Sequence, residues 1–70
     1  MRIEGSVRAN LSAALASARR WRGRSVHKDT ADHWRRLLDY GRLIERQPSG
    51  EAVGDLVRDL EIEIEHLKVG

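Results

Sequence analysis

Apolar residues recur along this chain at helical spacing in three separate stretches. The clearest is Val53, Val57, Leu60, Ile64 and Leu67, whose steps of 4, 3, 4 and 3 place one apolar stripe on a single helix face. Leu56 widens that stripe on one side. A second set comprises Trp34, Leu37, Leu38, Gly41 and Ile44. A third, Val7, Leu11, Ala14, Ala18 and Trp21, again steps by 4, 3, 4 and 3, with Leu15 beside it. Its alanines favour helix and leave room for a bulky facing helix.

Breaks in the pattern separate these segments. Pro48, in Gln47-Pro48-Ser49-Gly50, restricts Gln47 to extended conformations, so the helix before it stops near Arg46. A linker this short folds the two flanking helices antiparallel. Ser49 is the expected N-cap of the last helix, with Glu51 and Asp55 in its first turns and His66 and Lys68 in its final one. The middle helix opens at Asp29 or Thr30, has Asp32 in its first turn, and ends with Arg42 and Arg46. Ser6 or Asn10 caps the first helix; Arg19, Arg20 and Arg22 suit its C-terminal dipole, and Gly23 terminates it. Met1 to Gly5 reads as a short arm, and Arg24-Ser25-Val26-His27-Lys28 as a polar connection. The expected fold is all-α: a three-helix domain built on an antiparallel helical hairpin, with helices near 6–22, 30–46 and 50–68.

One stretch supports a competing element. Leu60 to Glu65 alternates apolar and acidic residues as a half-buried strand does, and Arg2-Ile3-Glu4 offers it a partner. A lone two-stranded ribbon is marginal in water, whereas the longer stripe predicts helix over the same residues. Helix is therefore the reading taken. It leaves Ile62 off the stripe and exposed, which hints at a second contact surface. Gly41 costs roughly 1 kcal/mol relative to Ala inside a helix. It marks either a close helix approach or a break, and both stay open at this level.

Composition narrows the picture. The 70 residues allow one small domain, and a single core of that size seldom supplies more than ~3–5 kcal/mol. With no cysteine and no metal-ligand cluster, self-association through Val53, Val57, Leu60, Ile64 and Leu67 is the expected further source of stability, giving a homodimer. No apolar run approaches the ~20 residues that span a bilayer. The first thirty residues lack the continuous apolar core of a secretory signal, so a cytoplasmic location is expected. Eleven arginines against two lysines suggest a GC-rich coding sequence, hence a bacterium or its phage.

The net charge of +2 is unevenly spread. Residues 1–36 hold nine Arg/Lys and three Asp/Glu, or +6, while residues 37–70 hold four and eight, or −4. The most conspicuous motif is Arg19-Arg20-Trp21-Arg22-Gly23-Arg24. It offers guanidinium groups to phosphates or carboxylates and an indole to stack on a base. The plainer reading is a helix end whose arginines suit the dipole while Trp21 packs into the core, and it is preferred. Residues 5–28 also have the acid-free, Arg- and Ser-rich composition of an organellar presequence, but their heptad stripe fits the hairpin better.

Other chemistry finds little support. His27 and His33 are six apart and His66 is on another segment, so no metal-ligand spacing exists. Glu61, Glu63 and Glu65 point in different directions on a helix, and with Asp55 and Asp59 form a solvated acidic face answering the basic first helix within the fold or across a dimer. No phosphate loop, nucleophile elbow or catalytic triad is present, so an enzyme is not expected. A helix-turn-helix would make the acidic last helix the recognition helix, which phosphate repulsion disfavours.

The expected function is a non-catalytic protein–protein interaction module, a small adaptor, inhibitor or regulator binding through helix faces without a cofactor. The alternative is a small nucleic-acid-binding regulator that uses the basic first helix. The candidate residues for either partner are Arg19, Arg20, Arg22, Arg24, Arg35 and Arg36.

Overall fold

A computed structural model describes residues 7–48 and 52–70. Three helices pack against one another: α1 (Val7–Arg20), α2 (Lys28–Glu45) and α3 (Gly54–Glu65). Two short strands, β1 (Ser25–Val26) between α1 and α2 and β2 (Lys68–Val69) after α3, pair in parallel with Ser25 opposite Lys68 and Val26 opposite Val69. The all-α class follows, and Leu60 to Glu65 are helical rather than extended.

The helix ends depart from expectation for local reasons. α1 gives way to a turn after Arg20, through bonds from the Trp21 N–H to Ser17 O (3.1 Å) and from the Arg24 N–H to Trp21 O (2.9 Å). Gly23 stops it with φ of +84°, the left-handed conformation that glycine adopts without penalty. α2 starts at Lys28, earlier than Asp29 or Thr30, because His27 is the N-cap: its Nδ1 accepts from the Asp29 N–H at 3.0 Å. Asp29, not Asp32, is the acid of the first turn. α3 is shorter than the apolar stripe. Val53 is its N-cap residue and His66 its C-cap, and Lys68 has left the helix to join the β pair. Asn10 lies inside α1 and caps nothing. The proposed caps and turn residues Ser6, Ser49, Gly50 and Glu51, the Met1–Gly5 arm and the Arg2–Glu4 strand lie outside the described residues.

The core is one cluster centred on Leu11, Leu60 and Val53, all fully buried, with Leu15, Trp34, Leu38, Leu56 and Val57 around them. Ala14, Ala18 and Ala31 are buried between the larger side chains, as an alanine seam facing a bulky helix should be. Gly41 resolves in favour of close approach. The helix runs through it, and a Cβ there would come within 2.9 Å of both Leu11 Cδ1 and Val57 Cγ2.

Two apolar residues are not where periodicity put them. Trp21 is 43% exposed, because α1 ends one residue before it and it stands in the turn beyond the bundle. Val26, read as part of a polar connection, is buried instead, carried under the bundle by its pairing with Val69. Ile62 is half exposed, as expected of a residue off the stripe.

Candidate interaction surface

The two faces of α1 differ in charge, and the difference decides which basic residues remain available. Along the contact with α3, Arg8 donates from Nη1 and Nη2 to the two Asp55 carboxylate oxygens, each at 3.1 Å, and from Nη1 to the Ala52 carbonyl at 2.6 Å. Arg19 approaches Asp59 at 3.6 Å and Glu63 at 3.9 Å. Arg22 donates to both Glu63 oxygens, from Nε at 3.1 Å and from Nη2. Glu63 is the one buried charged residue among the described residues, so this bidentate bond matters to it.

The ionisation of these groups follows the pairing. The hydrogen bond from Arg22 holds the Glu63 carboxyl below its ordinary value, against the opposing effect of burial, with the positive charges of Arg22 and Arg19 adding to the lowering. The hydrogen bond from Arg8 lowers Asp55 in the same way. The bond to Glu63 raises Arg22 above an already high value. Much of the +6/−4 asymmetry is thus answered inside the chain. On the other side of α3, Arg42 Nη2 bonds Glu61 at 2.8 Å.

The six candidate arginines therefore divide. Arg19 and Arg22 are engaged by α3, and Arg35 sits 3.7 Å from Asp32 on its own helix. Arg24 lies over the Trp21 ring, 5.8 Å from its centroid, in cation–π contact. Arg20 and Arg36 are exposed and form no ion pair among the described residues. Of the expected self-association residues, Val53, Val57 and Leu60 lie in the chain's own core, and Ile64 and Leu67 pack partly buried against it.

Opposite the α3 contact, α1 and α2 leave a concave face. Its first hollow, about 430 Å³, is floored by Ala14 and Trp34 and walled by Asn10, Ala13, Ser17, His33 and Leu37. A second hollow, of about 270 Å³, lies beyond the end of α1, among Trp21, Ser25 and Val26 of the connection and His27 and Thr30 at the start of α2. This face was missed from sequence, although two of its signals were visible: the run of small residues in α1 and the absence of acid from it. No group of three potential metal ligands occurs among the described residues, and no described helix is long and apolar enough to cross a membrane. Comparison with family models, curated proteins and solved structures returned no match, so the surface itself carries the functional reading.

Proposed function

We propose that this chain is a non-catalytic protein-interaction module, an adaptor, inhibitor or regulator that presents one face of its three-helix bundle to a partner protein. Trp21 carries this reading. A large aromatic side chain stands half exposed beside a hollow, on a hydrogen-bonded turn, with Arg24 packed on its ring. Tryptophan and arginine are the residue types that dominate interface energies, and an indole already held in place loses little freedom on binding. In the same reading α2 and α3 form an antiparallel hairpin, supported by Glu45 lying against Gly54 while Arg42 bonds Glu61.

Affinity purification from the organism of origin tests the interaction. A protein retained by the wild type and lost with Trp21→Ala is the expected result; identical retention by both would reject Trp21 as the anchor. Self-association has its own place in the proposal. With the α3 stripe enclosed, the half-exposed Tyr40 and Leu43 of α2 offer an apolar pair for it, and Ile62 of α3 a further exposed apolar residue. Light scattering should then report about twice the 8.0 kDa chain mass at micromolar concentration, whereas a concentration-independent monomer would exclude it.

A second reading rests on the same indole. Trp21 between Arg20 and Arg24 also resembles a base-stacking platform, the arrangement that binds single strands. It is weaker because Arg19 and Arg22 already serve α3. Anisotropy with labelled single-stranded DNA or RNA at about 0.15 M salt decides the matter, since phosphate contacts make affinity fall log-linearly with salt. Tight binding, abolished by Arg20→Gln, Arg22→Gln and Arg24→Gln together, would favour nucleic acid over protein.

A further inference from the structure

The distribution of carboxylates around the bundle says what kind of partner the concave α1·α2 face accepts. The hollow between α2 and α3, about 300 Å³, has Asp39, Glu61 and Glu65 in its walls together with Arg35 and Arg42, so its carboxylates outnumber its guanidinium groups and do not invite an acidic partner. The α1·α3 contact is closed by its own ion pairs. The α1·α2 face differs from both. α1 contains no Asp or Glu over its whole length, and none lines either hollow. Asp32 and Asp39 of α2 are taken by Lys28, Arg35 and Arg42. A carboxylate does approach the lower hollow, Asp29, but it stands 3.8 Å from the His27 ring.

Cations flank the same face without acidic partners among the described residues. Arg20 is one turn from Ser17 on α1, and Arg36 is one turn from His33 on α2. Arg24 stands over Trp21 at the lower end, its charge directed to the ring rather than to a carboxylate. The interior between them is apolar and small: Ala13, Ala14, Trp34 and Leu37 above, Trp21 and Val26 below.

From this complementarity we infer that the α1·α2 face is a docking groove for an acidic amphipathic segment of a partner protein. The segment's apolar side chains enter the two hollows and its carboxylates meet Arg20, Arg24 and Arg36. Trp34 and Leu37 in the upper hollow and Trp21 and Val26 in the lower give a docked amphipathic helix apolar sites for its anchors. The inference rests on the protein-interaction reading and adds to it the partner's chemistry. It also assigns a role to the small side chains of α1, which keep the groove open where a longer residue would fill it.

Selection of a displayed random-peptide library on the immobilised chain tests it, with the selected peptides then titrated in solution. Both tryptophans of the chain, Trp21 and Trp34, line the groove, so intrinsic fluorescence reads occupancy directly. The expected consensus is rich in Asp and Glu, with aliphatic or aromatic anchors three or four residues apart, and its binding shifts Trp21 emission to the blue. Arg20→Gln with Arg36→Gln should weaken binding by about tenfold, and Trp21→Ala by at least about thirtyfold. Ala13→Arg, at an exposed position, should block binding while circular dichroism stays unchanged.

A basic or charge-neutral consensus, or failure to select any peptide, would overturn the proposal. Acidic peptides that bind Ala13→Arg as well as wild type would place the site elsewhere and leave the protein-interaction reading intact. A wild-type dimer that Ala13→Arg converts to monomer would make the occupant a second copy of this chain. Salt-dependent single-strand binding in place of peptide selection would remove both the groove proposal and the reading beneath it.

Discussion

The two sides of α1 are built on opposite terms. Toward α3 it offers Arg8 and Arg19, joined by Arg22 from the turn that follows, each met by a carboxylate, over its own core residues Leu11 and Leu15. Toward α2 it offers Asn10, Ala13, Ala14 and Ser17, too short to close the space, and leaves the larger of the two hollows. A bundle of 70 residues has little stability to spare, so long side chains closing one seam while small ones leave the other open is informative. The sealed seam holds the fold together; the open one is where the proposed partner would dock.

Changes at the shared floor should affect both sides at once. Leu60 is fully buried, and Leu60→Asp would place an unpaired charge in the core, so complete loss of the helical circular dichroism signal is expected. Leu60→Ala should cost about 2–5 kcal/mol by denaturant titration. A folded Leu60→Asp protein would mean that the core lies elsewhere.

Next in size comes Gly41, where α2 meets Leu11 and Val57. Gly41→Val should destabilise by about 1–3 kcal/mol through overpacking. Gly41→Ala sets the roughly 1 kcal/mol gain in helix propensity against the two 2.9 Å approaches, and should change stability less than the valine does. A stabilised Gly41→Val would show that the helices separate easily at this crossing.

The sealed and open sides then separate under charge removal. Arg22→Gln strips the buried Glu63 of its bidentate partner and should lower the melting temperature. Arg20→Gln, with no ion pair to lose among the described residues, should leave it unchanged within error. Acid offers a second handle on the same seam. The Glu63 pKa in the folded chain lies below its unfolded value, so the folded state binds protons less readily. The pairing contributes fully above the ordinary glutamate value and is lost as pH falls through the lowered folded one. Wild-type stability should therefore drop more than that of Glu63→Gln from about pH 5 downward. Parallel acid profiles would show that Glu63 is not stabilised as an anion.

Smallest of all should be Ala13→Arg in the absence of any partner. Ala13 is exposed on the open side, and a change within about 0.5 kcal/mol is expected. A large loss would mean that the groove is part of the packing after all.

Helix identity was legible because an apolar stripe is a local signal repeated over several turns. Leu11, Trp34, Leu38, Val57 and Leu60 all occupy the buried positions their spacing implies. The failures share one cause. Trp21 continues the heptad pattern by one step, but periodicity carries no notice of where a helix stops, and α1 stops at Arg20. Val26 is a single apolar residue in a polar run, with no repeat to mark it as core. Its burial depends on pairing with Val69, 43 positions away, which short-range pattern does not encode. The charge asymmetry was readable, and so was the possibility that it would be answered within the fold. Which of the six candidate arginines have neither an ion pair nor an aromatic contact among the described residues, Arg20 and Arg36, required the three-dimensional arrangement.

The β pair gives the Trp21 end of the groove a different rhythm from the rest of the molecule. Helical turns close between near neighbours, whereas Ser25 and Val26 must wait for Lys68 and Val69 to arrive from beyond α3. Two paired residues on each side, with the Gly70 N–H reaching Val26 O at 3.2 Å, make a clasp that can release without melting a helix. Such a clasp is expected to open more often than the core does, and an opening would free Ser25 and Val26 in the wall of the lower hollow. Amide exchange at Gly70 should run far ahead of that at Leu60. The end of the groove that holds its largest anchor would then be a gate, with the bundle as its frame.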